Sequence, residues 1–205
     1  MPGRLFLVTP LDEVAVALGA ALELPTQPPR RNIQPGQEVA VIVQGPTVRG
    51  MRWGLVPVGR VNARGRPVME TIVNARGETV FDKSAFAGRR RGVVPADGWY
   101  EWTGPARRKT AWRVSRLDGA PLFFAAIWDV WTAPGGRELP QAATVTCEPS
   151  EDVRQVHDRM GVILTPETVP VWLGGSVDEA RALVRPSPPG TLRVEVATDV
   201  DWSGP

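Results

Sequence analysis

A chain of 205 residues with 42% apolar and 22% charged side chains has the make-up of a soluble globular protein, and one domain over 1–205 is expected. Its 24 basic and 22 acidic residues leave a formal charge of only +2, so any hold on a polyanion must come from local asymmetry. A single cysteine excludes an internal disulfide framework and a cysteine-built zinc site, and the sequence shows neither a long apolar run nor a charged-then-apolar leader; a reducing cytoplasm fits.

Taken in order, Thr9-Pro10-Leu11-Asp12 reads as a helix start, with Thr9 as N-cap, Pro10 at the first helical position and Asp12 completing a capping box. That helix should run to about residue 22, burying Val14, Ala17, Leu18 and Ala21. A proline-rich connector comes next, over 25–35. Strands are expected over 38–43 and 48–56, then a polar, arginine-rich loop over 58–67 and a short helix over 84–90. Further strands fall near 111–116, 122–130, 142–147 and 192–197, with a short helix over 151–156. Thr165-Pro166-Glu167 and Ser176-Val177-Asp178-Glu179 begin two more helices, the second with a capping box. Many strands with scattered helices define an α+β chain or a β-barrel with peripheral helices.

One stretch stands out: Val93-Val94-Pro95-Ala96-Asp97-Gly98-Trp99-Tyr100-Glu101-Trp102. It reads as a strand entering a tight turn at Asp97-Gly98 and a second strand leaving it. Period-two alternation points Glu101 away from Tyr100 and Trp102. A carboxylate held among rings is partly desolvated, which raises its pKa and suits it to proton transfer near neutrality. The alternative is a surface glutamate on a strand whose rings face the core.

Several chemistries are set aside. No phosphate loop ending in Gly-Lys-Ser/Thr occurs, a lone histidine cannot build a two-histidine metal site, and no Gly-x-Ser-x-Gly elbow is present. That histidine, His157, precedes Asp158-Arg159-Met160 and an apolar run, a setting that also suits a hydrogen-bonded structural turn. Arg89-Arg90-Arg91 and Arg107-Arg108-Lys109 read as solvated turns. Trp99, Trp102, Trp112, Trp128 and Trp131 read as core and strand-pair rings, leaving Trp53 as the tryptophan to expose near a ligand.

Together the pieces say more. Arg31-Asn32-Ile33-Gln34-Pro35-Gly36, Trp53-Gly54-Leu55-Val56-Pro57, Asn74-Ala75-Arg76-Gly77-Glu78-Thr79, Pro95 to Trp102 and His157-Asp158-Arg159-Met160, in that order and spacing, resemble the SOS-response-associated peptidase (SRAP) family from Gly3 to about Leu173. The resemblance implies an SRAP-like β-barrel core with peripheral helices. It implies a cytoplasmic, nucleoid-associated monomer that needs no cofactor or metal, stays off membranes, and binds single-stranded DNA. The substrate implied is the abasic site, whose sugar opens to an aldehyde. Family members carry cysteine as residue two, and its amine and thiol close on that aldehyde as a thiazolidine; the family name reflects a proposed self-cleavage that uncovers this cysteine. By motif, Asn74 would position the N-terminus, Glu101 would serve as acid and base, and His157 would assist ring opening or adduct reversal. Gly3, Arg4, Trp53, Arg76, Thr146 and Arg159 fall where DNA contacts are implied.

The chain departs from the family pattern at residue two, reading Met1-Pro2-Gly3-Arg4. Without a thiol beside the amine no thiazolidine closes. Pro2, once Met1 is removed, would instead offer a secondary amine with a pKa near ~8, able to form an iminium with an aldehyde. After Pro57 the chain continues Val58-Gly59-Arg60, where family members commonly place a tryptophan, and Gly161 follows Met160 in place of proline. Loss of that tryptophan would remove about 1–3 kcal/mol of base stacking, with Arg60 offsetting part through phosphate contact. Three functions are in play: an abasic-site enzyme working through its N-terminal amine, a catalytically silent DNA binder, and, most weakly, a peptidase.

Overall fold

Strands form on the chain's β-branched and aromatic runs. The computed structural model describes residues 3–25, 27–57, 64, 71–83, 86, 88–133 and 135–204. Among these residues the strands are β1 Leu5–Leu7, β2 Ala21–Leu22, β3 Arg30–Ile33, β4 Glu38–Val43, β5 Thr47–Trp53, β6 Asn74–Arg76 and β7 Arg90–Ala96. They continue as β8 Gly98–Thr103, β9 Thr110–Arg116, β10 Leu122–Thr132, β11 Glu138–Cys147, β12 Met160–Gly161, β13 Ile163–Leu164 and β14 Leu192–Val196. Three short helices accompany them: α1 Leu11–Ala17, α2 Val169–Gly174 and α3 Val177–Ala182.

The larger sheet bends into a ring. β11 pairs β10, β10 pairs β7, β7 pairs β4 and β4 pairs β5, all antiparallel. β5 then meets β11 in parallel through only Gln141↔Arg52 and Ala142↔Trp53. The ring is therefore barrel-like rather than evenly closed, with β6, β12 and β13 attached along β10 and β11. Its strands are buried on both faces, with Ile42, Val93 and Val145 on one and Met51 and Phe124 on the other, all essentially without exposure. The smaller sheet runs β14-β9-β8-β1-β3. The fold is the α+β, barrel-cored arrangement with peripheral helices that the sequence implies.

The two sheets are joined where the chain passes from β7 to β8, and here the hairpin expectation fails. β7 pairs with β10 and β4, whereas β8 pairs with β1 and β9. Asp97 does not turn a hairpin; it ties down the segment after β1. Its Oδ2 accepts from the Val8 and Thr9 amides at 2.6 and 2.8 Å, and its Oδ1 accepts from the Thr9 hydroxyl at 2.6 Å. Gly98 serves close approach: a Cβ there would lie 2.1 Å from the Val114 carbonyl oxygen of β9. We predict that Gly98→Ala costs about 3 kcal/mol or more in urea unfolding, since backbone must move to admit the methyl. A cost within experimental error would show the β8–β9 junction to be pliable.

Other expectations are corrected locally. α1 stops at Ala17 because the chain turns through Gly19 at φ +58°, a left-handed conformation, and residues 21–22 become β2 beside β5. Thr9 does not cap it, its hydroxyl being given to Asp97. Part of the proline-rich connector is strand β3, recruited by β1. Residues 151–156 form turns rather than a helix. α3 carries the expected capping box, with Ser176 and Glu179 bonding reciprocally. Most of the expected 58–67 loop, including Arg60, and residues 84, 85 and 87 of the expected 84–90 helix lie outside the described residues; Arg90 opens β7.

Candidate functional site

β8 fixes Glu101. Its alternation sends Trp99 and Glu101 to one face and Tyr100 and Trp102 to the other, so the Trp99 indole Nε1 donates to Glu101 Oε1 at 3.2 Å. Glu101 is 4% exposed, and burial raises its carboxyl pKa to about 7. The inward, desolvated reading of this residue therefore holds, and the surface alternative does not.

The partner of Glu101 is the sole histidine. His157 Nε2 lies 4.0 Å from Glu101 Oε2, and burial lowers the imidazole pKa. The Arg159 amide donates to His157 Nδ1 at 2.9 Å, which leaves the ring proton on Nε2, facing the glutamate. Asp158 Oδ1 stands 2.8 Å from the same Nδ1. One nitrogen cannot accept from an amide and donate to a carboxylate together. The amide contact prevails, because its geometry is held by the backbone while the Asp158 side chain is 89% exposed and free to turn away. The result is a neutral imidazole beside a carboxyl that titrates near neutrality.

β11 gathers the remaining residues. β6 runs parallel to it in the register Thr144↔Asn74 and Thr146↔Arg76, and β12 pairs with it at Thr146↔Gly161. The Thr144 hydroxyl donates to Asn74 Oδ1, which fixes the orientation of the amide. The buried Thr146 accepts Arg159 Nη2 at both its carbonyl, 2.8 Å, and its hydroxyl, 3.1 Å. Arg159 also forms a two-point ion pair with Glu78, Nη1–Oε1 2.5 Å and Nη2–Oε2 2.9 Å. Hydrogen bonding to Glu78 raises the arginine pKa, and the same contact lowers that of the glutamate. Arg159 is thus engaged by protein where an anion contact was implied, whereas Arg76 points outward and exposed.

Arg4 lies elsewhere. It donates to Asn32 Oδ1 and stands 6.0 Å from the Trp102 ring centre, on the face of the small sheet opposite Glu101. Gly3, just before it, is half-buried. Trp53 corrects its expectation: it is fully buried, because β5 meets β11 at Ala142↔Trp53, and its ring cannot stack on a base. Pro2 and Met1 lie outside the described residues. Cys147 is buried in β11 and its thiol is pushed up to about 12 by burial, so it is inert at neutral pH.

Glu78 and Thr144 belong to the site but escaped sequence reasoning. Glu78 lies inside the Asn74 to Thr79 motif, so its charge opposite Arg159 was available as a signal; Thr144 carried none. The arginine cluster at 89–91 is structural. Arg89 pairs with Asp129, Arg91 gives its guanidinium to the Gly175 and Ser176 carbonyls after α2, and Arg90 stacks on Trp128 at 3.5 Å. Arg107, Arg108 and Lys109 are exposed as expected. Among the described residues no three His, Cys, Asp or Glu side chains group as a metal site, and no helix is long and apolar enough to cross a membrane.

Comparison with known proteins places the chain that carries this site in one family. The model for the SOS response associated peptidase (SRAP) matches residues 1–202, and the chain belongs to that family. The abasic site processing protein YoqW of Bacillus subtilis (strain 168) is 31% identical over 183 residues, spanning 84% of this chain and 80% of its own. The abasic site processing protein HMCES of Gallus gallus is 33% identical over 168 residues, spanning 67% of this chain and 49% of its own. A crystal structure of a Bacteroides thetaiotaomicron protein shares the fold with a TM-score of 0.83 at 21% identity, covering 96% of this chain and 92% of that one.

Proposed function

We propose that this protein processes abasic sites in single-stranded DNA, capturing the ring-opened sugar aldehyde through the amine of Pro2 after Met1 is removed. The observation that carries the reading is the Glu101–His157 pair. A buried carboxyl with a pKa of about 7 sits 4.0 Å from a neutral imidazole, in a chain whose relatives are named abasic site processing proteins. A group poised near the working pH serves equally as proton donor and acceptor.

The steps balance without a cofactor. The prolyl nitrogen adds to C1′ of the aldehyde, and the carbinolamine loses its hydroxyl as water, protonated by Glu101 or His157. The iminium draws electrons from C2′, whose proton passes to the carboxylate. The C3′–O bond then breaks and the 3′ phosphate leaves, a β-elimination. Asn74, oriented by Thr144, would position the N-terminus. Exposed Arg76 would meet phosphate, and Arg159 would do so by exchanging Glu78 for it.

The test is borohydride trapping on an abasic single-stranded oligonucleotide, with Met1 removal verified by mass spectrometry. A reduced adduct through residue two is expected. Its absence from the processed protein, or an undiminished adduct in Pro2→Ala that still has a free amine, would remove the special role of proline. A second reading, a silent binder of single-stranded or abasic DNA, is favoured by one fact: proline stands where the family carries its thiol.

A further inference from the structure

The end of the chain folds back across the small sheet. After β14, the tail crosses the face opposite Glu101, passing from β9 over β8 to β3. Asp199 Oδ1 meets Arg113 Nη2 of β9 at 2.5 Å. The Trp202 ring packs against Tyr100 and Trp102 of β8, with centroids 4.9 and 5.3 Å away. The Trp202 and Gly204 carbonyls accept from Asn32 Nδ2 of β3 at 3.0 and 2.7 Å. Asn32 is fully buried, and its Oδ1 holds Arg4. Beside Asp199 lies a cleft of about 250 Å³ whose lining includes Phe6, Arg31, Tyr100, Arg113 and Asp97, the last with its carboxylate engaged by Val8 and Thr9.

The chemistry of these contacts is specific. A carboxylate rests on an arginine, and three residues later an indole rests on two rings. A single strand of DNA would bring the same two groups, a phosphate and a base. We propose that this face is a subsite for single-stranded DNA, with phosphate at Arg113 and Arg31 and a base against Tyr100 and Trp102, and that the tail fills it as an internal competitor. This rests on the single-stranded DNA reading above and extends it to a second face.

Detachment of the tail gives up two hydrogen bonds from Asn32, two ring contacts and one ion pair. Asp199 is 66% exposed on its side chain, so its ion pair is worth little, and Trp202 is only half-buried. Release frees Arg113 Nη2, whose Nη1 keeps Glu195 of β14 at 3.3 Å, together with the Asn32 amide and two ring faces. While the tail is seated, the affinity of this face for DNA is reduced by the fraction of molecules in which it is open.

The experiment keeps the chain at full length. Anisotropy of a fluorescein-labelled, undamaged oligothymidine is measured with the parent, with Asp199→Asn/Trp202→Ala, and with that pair carrying Arg113→Gln in addition. The double variant should bind about tenfold tighter, the size of one stacking contact, and Arg113→Gln should cancel the gain. Asp201→Asn removes the same charge from an exposed residue bonded only within the tail, and should change little. In the unaltered protein, hydrogen exchange over 198–204 should speed up when oligothymidine is added. Equal affinity of parent and double variant, a gain matched by Asp201→Asn, or tail exchange unchanged by DNA would overturn the proposal. Abasic-oligonucleotide capture by the parent, run in parallel, separates the readings. Capture without any effect of the tail variants sinks the competitor alone; no DNA binding by any form sinks both.

Discussion

Glu101→Gln should gain stability relative to the parent as pH rises to 7 and above, while slowing the chemistry. The parent carboxyl is buried and its folded pKa is raised from 4.5 to about 7. In the unfolded chain it ionises near 4.5, so between these values the folded state holds a proton that the unfolded state has lost. Stability of the parent therefore falls as pH rises through this window. Above pH 7 the ionised, desolvated carboxylate costs about 3 kcal/mol, each tenfold weakening of the acid being worth ~1.4 kcal/mol. Glutamine cannot ionise and still offers an oxygen to the Trp99 indole. Whatever fixed cost its amide brings is the same at every pH, and His157 titrates in both proteins. The difference in urea-unfolding free energy between variant and parent should accordingly grow by about 3 kcal/mol from below pH 4.5 to above pH 7. Aldehyde capture should drop by about 10²–10⁴-fold, the usual worth of a general acid–base group. The parent's pH–rate profile should bend near pH 7, a bend the variant lacks. A stability gap that stays flat with pH would show that this carboxyl is not desolvated in the fold.

That Glu101 faces away from Tyr100 and Trp102 was legible because a strand has period two; that its face is the buried one was not, because the spacing suits a surface glutamate as well. Trp53 was misread on burial too. It sits in an equally plain strand, but its burial comes from a parallel pairing with Ala142, far along the chain, which no local pattern encodes. Asp97-Gly98 carries a hairpin signature, yet its carboxylate is engaged by amides at Val8 and Thr9 and its glycine by the approach of β9. Composition announces a turn there, and tertiary partners decide what kind. The helix expected over 10–22 forms but stops at Ala17, since Gly19 ends it and β5 recruits residues 21–22 as a strand. The 198–204 tail offered no motif to read in the sequence, although the family model extends to residue 202, and it has no period. Its meaning lies in the side chains it touches, and a lone tryptophan beside acidic residues says nothing of those in advance.

Pro2→Cys should change the kind of product rather than its amount. With proline, condensation stops at an iminium, which water reverses and which only reduction or β-elimination makes permanent. The substitution restores the Met-Cys-Gly-Arg pattern of the family at residues 1–4, and puts a primary amine and a thiol on one carbon framework. The aldehyde would then take nitrogen and sulfur on the same carbon and lose one water, closing a five-membered thiazolidine with no leaving phosphate. The variant should yield a crosslink that survives denaturing electrophoresis without borohydride, while strand cleavage falls. The proposed roles of Asn74, Glu101 and His157 ask for no other change, and Glu101 is buried 4.0 Å from the imidazole. The Pro2→Cys/Glu101→Gln pair should form the same adduct more slowly, since the thiol supplies the trap but not the proton transfer. A processed Pro2→Cys protein that gives no reductant-independent adduct would mean the aldehyde never reaches the chain's beginning, and would leave the silent binder as the function of this fold.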